Sequence, residues 1–250
     1  MTTLDFLGES NLSRVDAQKA TAEYIENLNV LKKEGLDRNI SVKLTQIGLD
    51  IDENFTKENL IEIVKVAAAM NGFVRIDMEG SPYTEQTLRL AVEAHKKNRS
   101  VGMVLQSMLR RTSEDAVHLL KEAIPIRLVK GAYKEPPSIA FTDKKDVDRQ
   151  YVTVMKRLLT SGIYHAIATH DEKIIKEGMA FVKKEKISKD SFEFQMLFGI
   201  RNKFAKQLVQ EGWRVRIYVP YGEFWFPYMV RRLRERKENI WFVIKNIFRG

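Results

Sequence analysis

The sequence predicts an α/β protein, a closed (β/α)8 barrel formed as one domain over residues 1–250. Short segments rich in β-branched residues alternate with amphipathic helical segments along the whole chain, without a linker or a shift in composition. That order is typical of parallel strands joined by right-handed crossovers. Eight such units, in a chain close to the roughly 250 residues typical of this barrel, favour closure. An open doubly wound sheet is the alternative, but no glycine-rich phosphate-binding loop follows the first strand.

The strands are predicted from β-branched and aromatic runs, and the helices from apolar residues at helical spacing. The predicted strands are LDF near the start, 41–47, 73–79, 101–107, 124–131, 165–170, 191–197 and 214–220. The predicted helices are Val15 to Leu36, an N-cap at Thr56 to a stop at Asn71–Gly72, and Pro82 to Lys97–Asn98, followed by helices beginning near Thr112, Asp146, Asp171, Arg201 and Phe224. The apolar C-terminal stretch ENIWFVIKNIF is an extra helix or tail, which we expect to pack across the exterior of the barrel. Membrane docking or an oligomer contact is its alternative role.

Composition excludes several classes of site and partner. The chain has no cysteine, which removes disulfides, thiolate nucleophiles and cysteine-based metal sites, and suits a reducing compartment. Neither a secretion signal nor an apolar run of about 20 residues is present, so we expect a cytoplasmic protein, at most attached to the inner face of a membrane. The net charge of +9 is spread along helices that also carry acidic residues. We therefore expect a solvated surface with no nucleic-acid partner, and attraction to anionic lipid as the alternative.

Charged residues interrupt the predicted strands, although buried parallel strands are normally apolar throughout. Because side chains alternate along a strand, positions 75 and 77, 193 and 195, and 216 and 218 should each share the inward face. A buried charge needs a partner, and the expected pairs are Lys43 with Asp77, and Arg75 or Arg216 with Glu193. Arg75, Glu193 and Arg216 lie early in their strands and could form an ion-pair network that only fills the barrel. A functional role is predicted for the polar residues nearer the strand ends, where barrels of this kind build active sites: Lys43, Asp77, Gln106, Arg127, His170 and Tyr218.

Seven motifs, in one order, carry a family resemblance. SVKLTQIG, RIDMEG, RLVKGAYKEP, ATHD, FEFQML, RIYVPYG and YMVRRLRER resemble successive motifs of the proline dehydrogenase family and cover almost the whole chain. The resemblance implies a distorted TIM-type barrel with FAD at the C-terminal ends of its strands. It also implies hydride transfer from L-proline to flavin N5, which yields Δ1-pyrroline-5-carboxylate, and onward electron transfer to a quinone. No metal ion is implied.

The resemblance assigns residues to the substrate. Arg231 and Arg232 match an arginine pair that grips the proline carboxylate, a task that suits the guanidinium fork, and Lys43 supplies a further cation. Asp77 matches an acidic residue that we expect to hold Lys43 and Arg231 in position. The apolar wall against the proline ring is assigned to Tyr133, Leu197, Tyr218 and Tyr228. These motifs contain no obvious base for the substrate amine, so its deprotonation is left to solvent.

The resemblance also assigns residues to the flavin. Arg127 matches a cation near N5 that favours the more negative, reduced flavin, and it joins Asp77 as a catalytic candidate. Gly131 is expected to allow close approach of backbone to ligand. The other implied cofactor contacts are Met78, Gln106, Val129, Lys130, Thr169, His170, Gln195 and, as a weaker match, Glu235.

Two other functions are compatible with the residues, and one departure from the family is visible. Lys43 could instead form a Schiff base in a lyase or aldolase on the same barrel, and a basic barrel that binds anionic ligands would not be an enzyme at all. Family members usually carry helices before the first strand, whereas this sequence begins almost at LDFLGE. This difference leaves the oligomeric state, including a homo-oligomer, and retention of FAD open.

Overall fold

Eight parallel strands close into a barrel in chain order, as the alternating pattern predicts. The computed structural model describes residues 1–223. The strands are β1 (Thr2–Phe6), β2 (Asn39–Val42), β3 (Phe73–Ile76), β4 (Val101–Gln106), β5 (Ile126–Val129), β6 (His165–Ala168), β7 (Phe192–Leu197) and β8 (Val215–Tyr221). The helices within this range are α1 (Arg14–Lys33), α2 (Glu53–Ala69), α3 (Thr84–Lys97), α4 (Thr112–Lys121), α5 (Lys144–Leu159), α6 (Glu172–Lys184) and α7 (Asn202–Gln210). The helix predicted from Phe224, and the C-terminal helix or tail, lie outside the described residues.

The barrel closes where the first and last strands meet. β1 pairs with β2 on one side and with β8 on the other, both in parallel. Five residue pairs join β1 to β8, from Thr2 opposite Ile217 to Phe6 opposite Tyr221. The Met1 carbonyl extends this seam by accepting a hydrogen bond of 2.9 Å from the amide of Ile217.

The helices cover the outer face of the strands because each has a buried apolar stripe. In α1, Ala17, Tyr24, Leu28 and Leu31 are buried, at the spacing of one helical face. The helix begins where the Ser13 hydroxyl accepts a hydrogen bond from the amide of Asp16. Outward-facing strand residues such as Ile40, Val42, Val74 and Ile76 are fully buried beneath this helical layer.

The strands are confirmed in number and order, but several end earlier than predicted. The segment 41–47 is strand only to Val42, because the backbone then turns, with hydrogen bonds from Gln46 to Lys43 and from Leu49 to Leu44. β3, β5 and β6 likewise end before residues 77, 130 and 169, so the polar residues that follow them lie on loops at the barrel mouth.

The predicted N-cap of the second helix was wrong. Asp52 caps α2, because its carboxylate accepts a hydrogen bond of 2.7 Å from the amide of Phe55. Thr56 lies inside the first turn, fully buried, and its hydroxyl donates to the carbonyl of Asp52. A threonine that bonds back to a carbonyl four residues earlier is an interior residue rather than a cap.

The inward face of the barrel carries charge, as the two-residue period predicts. Arg216 and Glu193 form a two-pronged ion pair with distances of 2.7 and 3.0 Å, and the Glu193 residue is 2% exposed. Arg75 does not pair with Glu193; its guanidinium donates to the carbonyls of Pro125 (2.6 Å) and Met103 (3.4 Å). Backbone carbonyls therefore partner the third buried charge.

Gly102 makes room for that arginine. A Cβ at this position of β4 would lie 2.3 Å from the carbonyl oxygen of Pro125 and 2.6 Å from the Arg75 guanidinium. Arg75 and Gly102 are directly paired neighbours in β3 and β4. The absence of a side chain on one strand accommodates the large side chain on the next.

No helix within residues 1–223 combines the length and the apolar character needed to cross a membrane.

Glu193→Gln should lower the free energy of unfolding by about 1.5–3 kcal/mol, because it removes the charged acceptor of two hydrogen bonds and leaves the buried Arg216 with Asp37 as its ionic partner. Urea unfolding of the purified variant measures this. The matched control is Glu177→Gln, which removes the partner of Lys156 in an exposed ion pair of 2.8 Å and should cost less than about 1 kcal/mol. Equal losses in the two variants would contradict the assignment.

Candidate active site

A large cavity opens at the C-terminal ends of the strands. Its volume is about 1080 Å³, at the upper end of the roughly 300–1,000 Å³ usual for small-molecule sites. Residues on the inward face of the strands, or directly after a strand end, line its floor, among them Asp5, Lys43, Gln106, Arg127, Gln195 and Tyr218. Asp77, Met78, Val129, Lys130, Gly131, Tyr133, Thr169, His170 and Leu197 line it as well. The structure thus brings together every predicted site residue within 1–223.

Arg127 and Asp77 form the central ion pair of the cavity floor. A guanidinium nitrogen of Arg127 lies 2.7 Å from one Asp77 oxygen, and a second donates to the hydroxyl of Ser41 at 2.9 Å. Tyr218 donates to the other Asp77 oxygen at 2.8 Å, and its ring lies 5.2 Å from the Arg127 guanidinium carbon. Burial, with the charges of Asp5 and Asp77, raises the pKa of Tyr218, so its hydroxyl remains a donor.

Lys43 pairs with Asp5 rather than with Asp77, which corrects the predicted hydrogen-bonded pair. The distance from Lys43 Nζ to Asp5 Oδ1 is 2.5 Å. Asp77, whose two oxygens already accept from Arg127 and Tyr218, acts on Lys43 only through its charge. β2 lies between β1 and β3, so Lys43 has a carboxylate on either side, and the predicted contact failed because Arg127 and Tyr218 occupy the oxygens of Asp77.

Asp5 is a site residue that the sequence analysis missed. It is an acidic residue in the middle of an apolar strand, LDF, the same signal that singled out Asp77. Applying the alternation rule to this short first strand would have placed it on the inward face.

Gln106 and Met78 lie beside a buried polar cluster. The Gln106 side-chain amide donates to the carbonyl of Glu79 at 3.1 Å. The Glu79 carboxylate in turn accepts from the amide (3.1 Å) and the hydroxyl (2.5 Å) of Thr45. These bonds fix the β3–α3 loop, and with it Met78, against the β2–α2 loop.

Lys130 bridges two carboxylates at the edge of the cavity. Its Nζ lies 2.5 Å from Asp148 and 2.8 Å from Asp171. Asp171 also caps α6 by accepting from the amide of Lys173. Burial raises the pKa of Asp171, but the hydrogen bond and the charge of Lys130 outweigh burial and lower it to about 2.

Gly131 follows Lys130, and its backbone φ of 118° is one that residues other than glycine rarely adopt. A Cβ here would lie 2.4 Å from the sulfur of Met108. The backbone angle and the contact with Met108 therefore require glycine here even without a ligand. The predicted close approach of the Gly131 backbone to a ligand stays a prediction. Tyr133, two residues later, packs against the small cluster that contains Met108.

The β6 and β7 ends supply a hydrogen-bonded rim. His170 accepts the backbone amide of Leu197 at its Nε2 (2.9 Å), and Thr169 accepts the amide of Asp171 (3.1 Å). Gln195 donates to Glu193, which connects this rim to the ion pair below it. These contacts tie His170 to the neighbouring strand.

Two buried polar atoms on the cavity wall lack a partner within the described protein. They are Nε of Arg127, a donor, and Oε1 of Gln195, an acceptor. Buried polar groups are normally satisfied, and both residues line the same cavity, which is compatible with a polar ligand beside them. Within residues 1–223, no group of three or more acidic or histidine side chains is arranged to hold a metal ion.

The predicted residues Tyr228, Arg231, Arg232 and Glu235 lie outside the described residues, and their assignments stay predictions.

Comparisons with known proteins agree on one family. The family model described as "Proline dehydrogenase" matches residues 1–245. The chain is 41% identical over 245 residues to proline dehydrogenase 2 of Bacillus subtilis (strain 168), covering 98% of this chain and 81% of that protein. It is 38% identical over 252 residues to proline dehydrogenase of Deinococcus radiodurans, covering 99% and 81%.

The fold is similar to that of larger proteins of known structure. The crystal structure of proline utilization A (PutA) from Bdellovibrio bacteriovorus, inactivated by N-propargylglycine, superposes with a TM-score of 0.85 at 29% identity. The match covers 93% of this chain but only 29% of that one. The barrel thus corresponds to less than a third of that PutA chain.

Asp171→Asn should reduce stability by about 1–2 kcal/mol near neutral pH, because it removes a carboxylate whose pKa the fold lowers. This contribution is complete above the ordinary pKa of 3.8 and is lost as the pH falls towards about 2. Unfolding measured from about pH 5 to about pH 3 should show the gap to the unmodified protein narrowing. Asp146→Asn, which removes the partner of Arg149 in an exposed pair, should cost less than about 1 kcal/mol. A gap that stays constant with pH would contradict the role of Asp171.

Proposed function

Since the chain belongs to the proline dehydrogenase family, we propose that it oxidises L-proline to Δ1-pyrroline-5-carboxylate, with FAD as the hydride acceptor. The observation that carries the proposal is the cavity of about 1080 Å³ at the barrel mouth, whose lining includes the paired cations Lys43 and Arg127. An anionic imino acid and a large polar cofactor both suit such a site.

The residues present fit a flavin. Arg127 and Gln195 line the cavity, and each has one side-chain atom without a partner among the described residues, a donor and an acceptor that suit a ring system with hydrogen-bonding atoms along its edge. FAD, when bound, would supply the acceptor for the hydride that leaves the proline ring. The residues that would hold it are Met78, Gln106, Arg127, Val129, Lys130, Gly131, Thr169, His170 and Gln195, with Glu235 beyond the described range.

Arg127 would favour the reduced cofactor. Its guanidinium is 3% exposed and is fixed by Asp77 and Ser41, so its charge acts in a medium that screens weakly. A fixed positive charge stabilises the negative charge that develops when a hydride is accepted. Asp77 holds Arg127 in place and accepts a hydrogen bond from the Tyr218 hydroxyl. Asp77 would therefore act as a positioning residue rather than as a proton acceptor.

Lys43, together with Arg231 and Arg232, would bind the substrate carboxylate. An ammonium has three donors, and Asp5 takes one of those of Lys43, which leaves others for a ligand in the cavity. The apolar wall against the ring would consist of Tyr133, Leu197, Tyr218 and Tyr228. Exclusion of water by these side chains strengthens the ionic contacts to the carboxylate.

The state of Lys43 argues against the Schiff-base alternative. A lysine that forms a Schiff base needs a lowered pKa so that its amine is neutral. Burial lowers the pKa of Lys43, but the charges of Asp5 and Asp77 outweigh burial, and the net effect is a raised pKa. A lysine whose pKa is raised suits contact with a carboxylate better than attack on a carbonyl carbon.

We further propose a quinone as the final electron acceptor and a peripheral contact with an anionic membrane. The net charge of +9 supports the membrane contact, because basic residues are attracted to anionic lipid. A cytoplasmic location and a homo-oligomeric assembly belong to the same proposal.

The absorbance spectrum of the purified full-length protein tests the function. We expect a yellow protein whose flavin bands bleach on anaerobic addition of L-proline, because the bound flavin becomes reduced. D-proline, which carries its carboxylate on the opposite face of the ring, is the control. A colourless protein that borohydride traps with a carbonyl substrate would instead support a lyase, and a colourless protein without redox chemistry would support a binding protein.

Arg127→Met should lower the reduction potential of the bound flavin by tens of millivolts, since about 30 mV corresponds to a tenfold change in a two-electron equilibrium. A spectroelectrochemical titration measures it. Arg110→Met is the control, because Arg110 is exposed and contacts Pro137 and Phe141 outside the cavity. An unchanged potential in the Arg127 variant would remove this role.

A further inference from the structure

The Asp5–Lys43 pair joins the first strand to the residue that ends the second. Asp5 is 1% exposed and Lys43 is 8% exposed, and both line the cavity. Their 2.5 Å contact is a charge-assisted hydrogen bond between groups largely removed from water. Such a pair stabilises a fold weakly at best, because desolvation offsets the attraction, so stability alone does not account for it.

Asp5 is the direct anionic partner of Lys43 among the described residues. Asp77 faces Lys43 from the end of β3, but its two oxygens accept from Arg127 and Tyr218. The other titratable groups around Lys43 act at longer range or through the backbone: Glu9 after β1, Glu79 after β3, and Tyr24 on α1. Loss of Asp5 would leave the ammonium without an ionic hydrogen bond.

The two opposing influences on Lys43 are large. Burial disfavours the charged ammonium and acts to lower its pKa, while the charges of Asp5 and then Asp77 raise it. Asp77 is already paired with Arg127, so the charge that opposes the effect of burial on Lys43 comes mainly from Asp5. Without Asp5, burial would be opposed mainly by the charge of Asp77, and the ammonium would lose its proton at a lower pH than in the unmodified protein.

We propose that Asp5 is a positioning residue that keeps the Lys43 ammonium charged and directed at the substrate carboxylate. Asp5 acts through Lys43 and does not itself contact the reacting atoms. The inference rests on the proposed function, since it takes the ligand of Lys43 to be the carboxylate of an imino acid.

Asp5→Asn in the full-length, FAD-loaded protein tests the proposal with tetrahydrofuran-2-carboxylate as the probe. This probe keeps the ring and the carboxylate of proline but has no amine to titrate, so any pH dependence of its binding belongs to the protein. Calorimetry should give a Kd close to that of the unmodified protein near pH 7, and about tenfold weaker binding near pH 9.5. The KM for L-proline should rise over the same range relative to the unmodified enzyme, with kcat within about twofold.

Asp5→Glu distinguishes the effect of Asp5 on the charge of Lys43 from its effect on the direction in which the ammonium points. It keeps an anion beside Lys43 but displaces it by one methylene, so the Kd should be several-fold weaker than in the unmodified protein and independent of pH. The control for a buried, ion-paired aspartate is Asp115→Asn. Asp115 lies on α4, outside the cavity, and its carboxylate pairs with Arg111. Its Kd should match that of the unmodified protein at both pH values.

Each outcome decides the inference. If Asp5→Asn binds the probe with the pH dependence of the unmodified protein, the inference is overturned, while bleaching by L-proline would leave the proposed function standing. If Asp5→Asn does not fold, Asp5→Glu decides alone, and an unchanged Kd in that variant would overturn the proposal. Failure of the unmodified protein to bleach with L-proline would count against the proposed function instead.

Discussion

The desolvation of charge inside a closed barrel is the constraint on which the other features depend. An arginine or aspartate that leaves water needs a partner at hydrogen-bonding distance, or its burial costs several kcal/mol. The barrel meets this requirement in two layers. Arg216 and Glu193 pair below, and Arg127 with Asp77, and Lys43 with Asp5, pair above. The lower layer lies beneath the cavity floor, and the upper layer holds cations that line the cavity.

The alternation of side chains along strands made much of this predictable. Positions 193 and 195 share a face in any strand, and the same holds for 216 and 218, so the inward charges followed from sequence alone. The partners did not follow, because pairing depends on which strands are neighbours and in which register. Lys43 has a carboxylate on each side, Asp5 from β1 and Asp77 from the end of β3, and it bonds Asp5 because Arg127 and Tyr218 occupy the oxygens of Asp77, which local periodicity does not reveal.

Loop positions were harder to predict than strand positions. Lys43 looked like a strand residue within SVKLTQI, yet the turn begins there, and the same holds for Asp77 and Lys130 after their strands. Polar residues occur inside the strands as well as after them, so nothing in the sequence marks the last ladder hydrogen bond. The early ends matter chemically, because residues just beyond a strand lie at the mouth rather than within the packed interior.

The seam between β1 and β8 affects how the barrel folds during its synthesis. Its five residue pairs join positions separated by more than two hundred residues, so they carry a large loop-closure entropy. During synthesis the amino-terminal strand emerges first and has to wait, with one edge unpaired, until almost all of this barrel has left the ribosome. Asp5 and Lys43 can associate early, since β2 follows soon after, but the cavity floor becomes complete only when Tyr218 arrives. Assembly of the binding site is therefore a late event, coincident with the end of translation of the barrel.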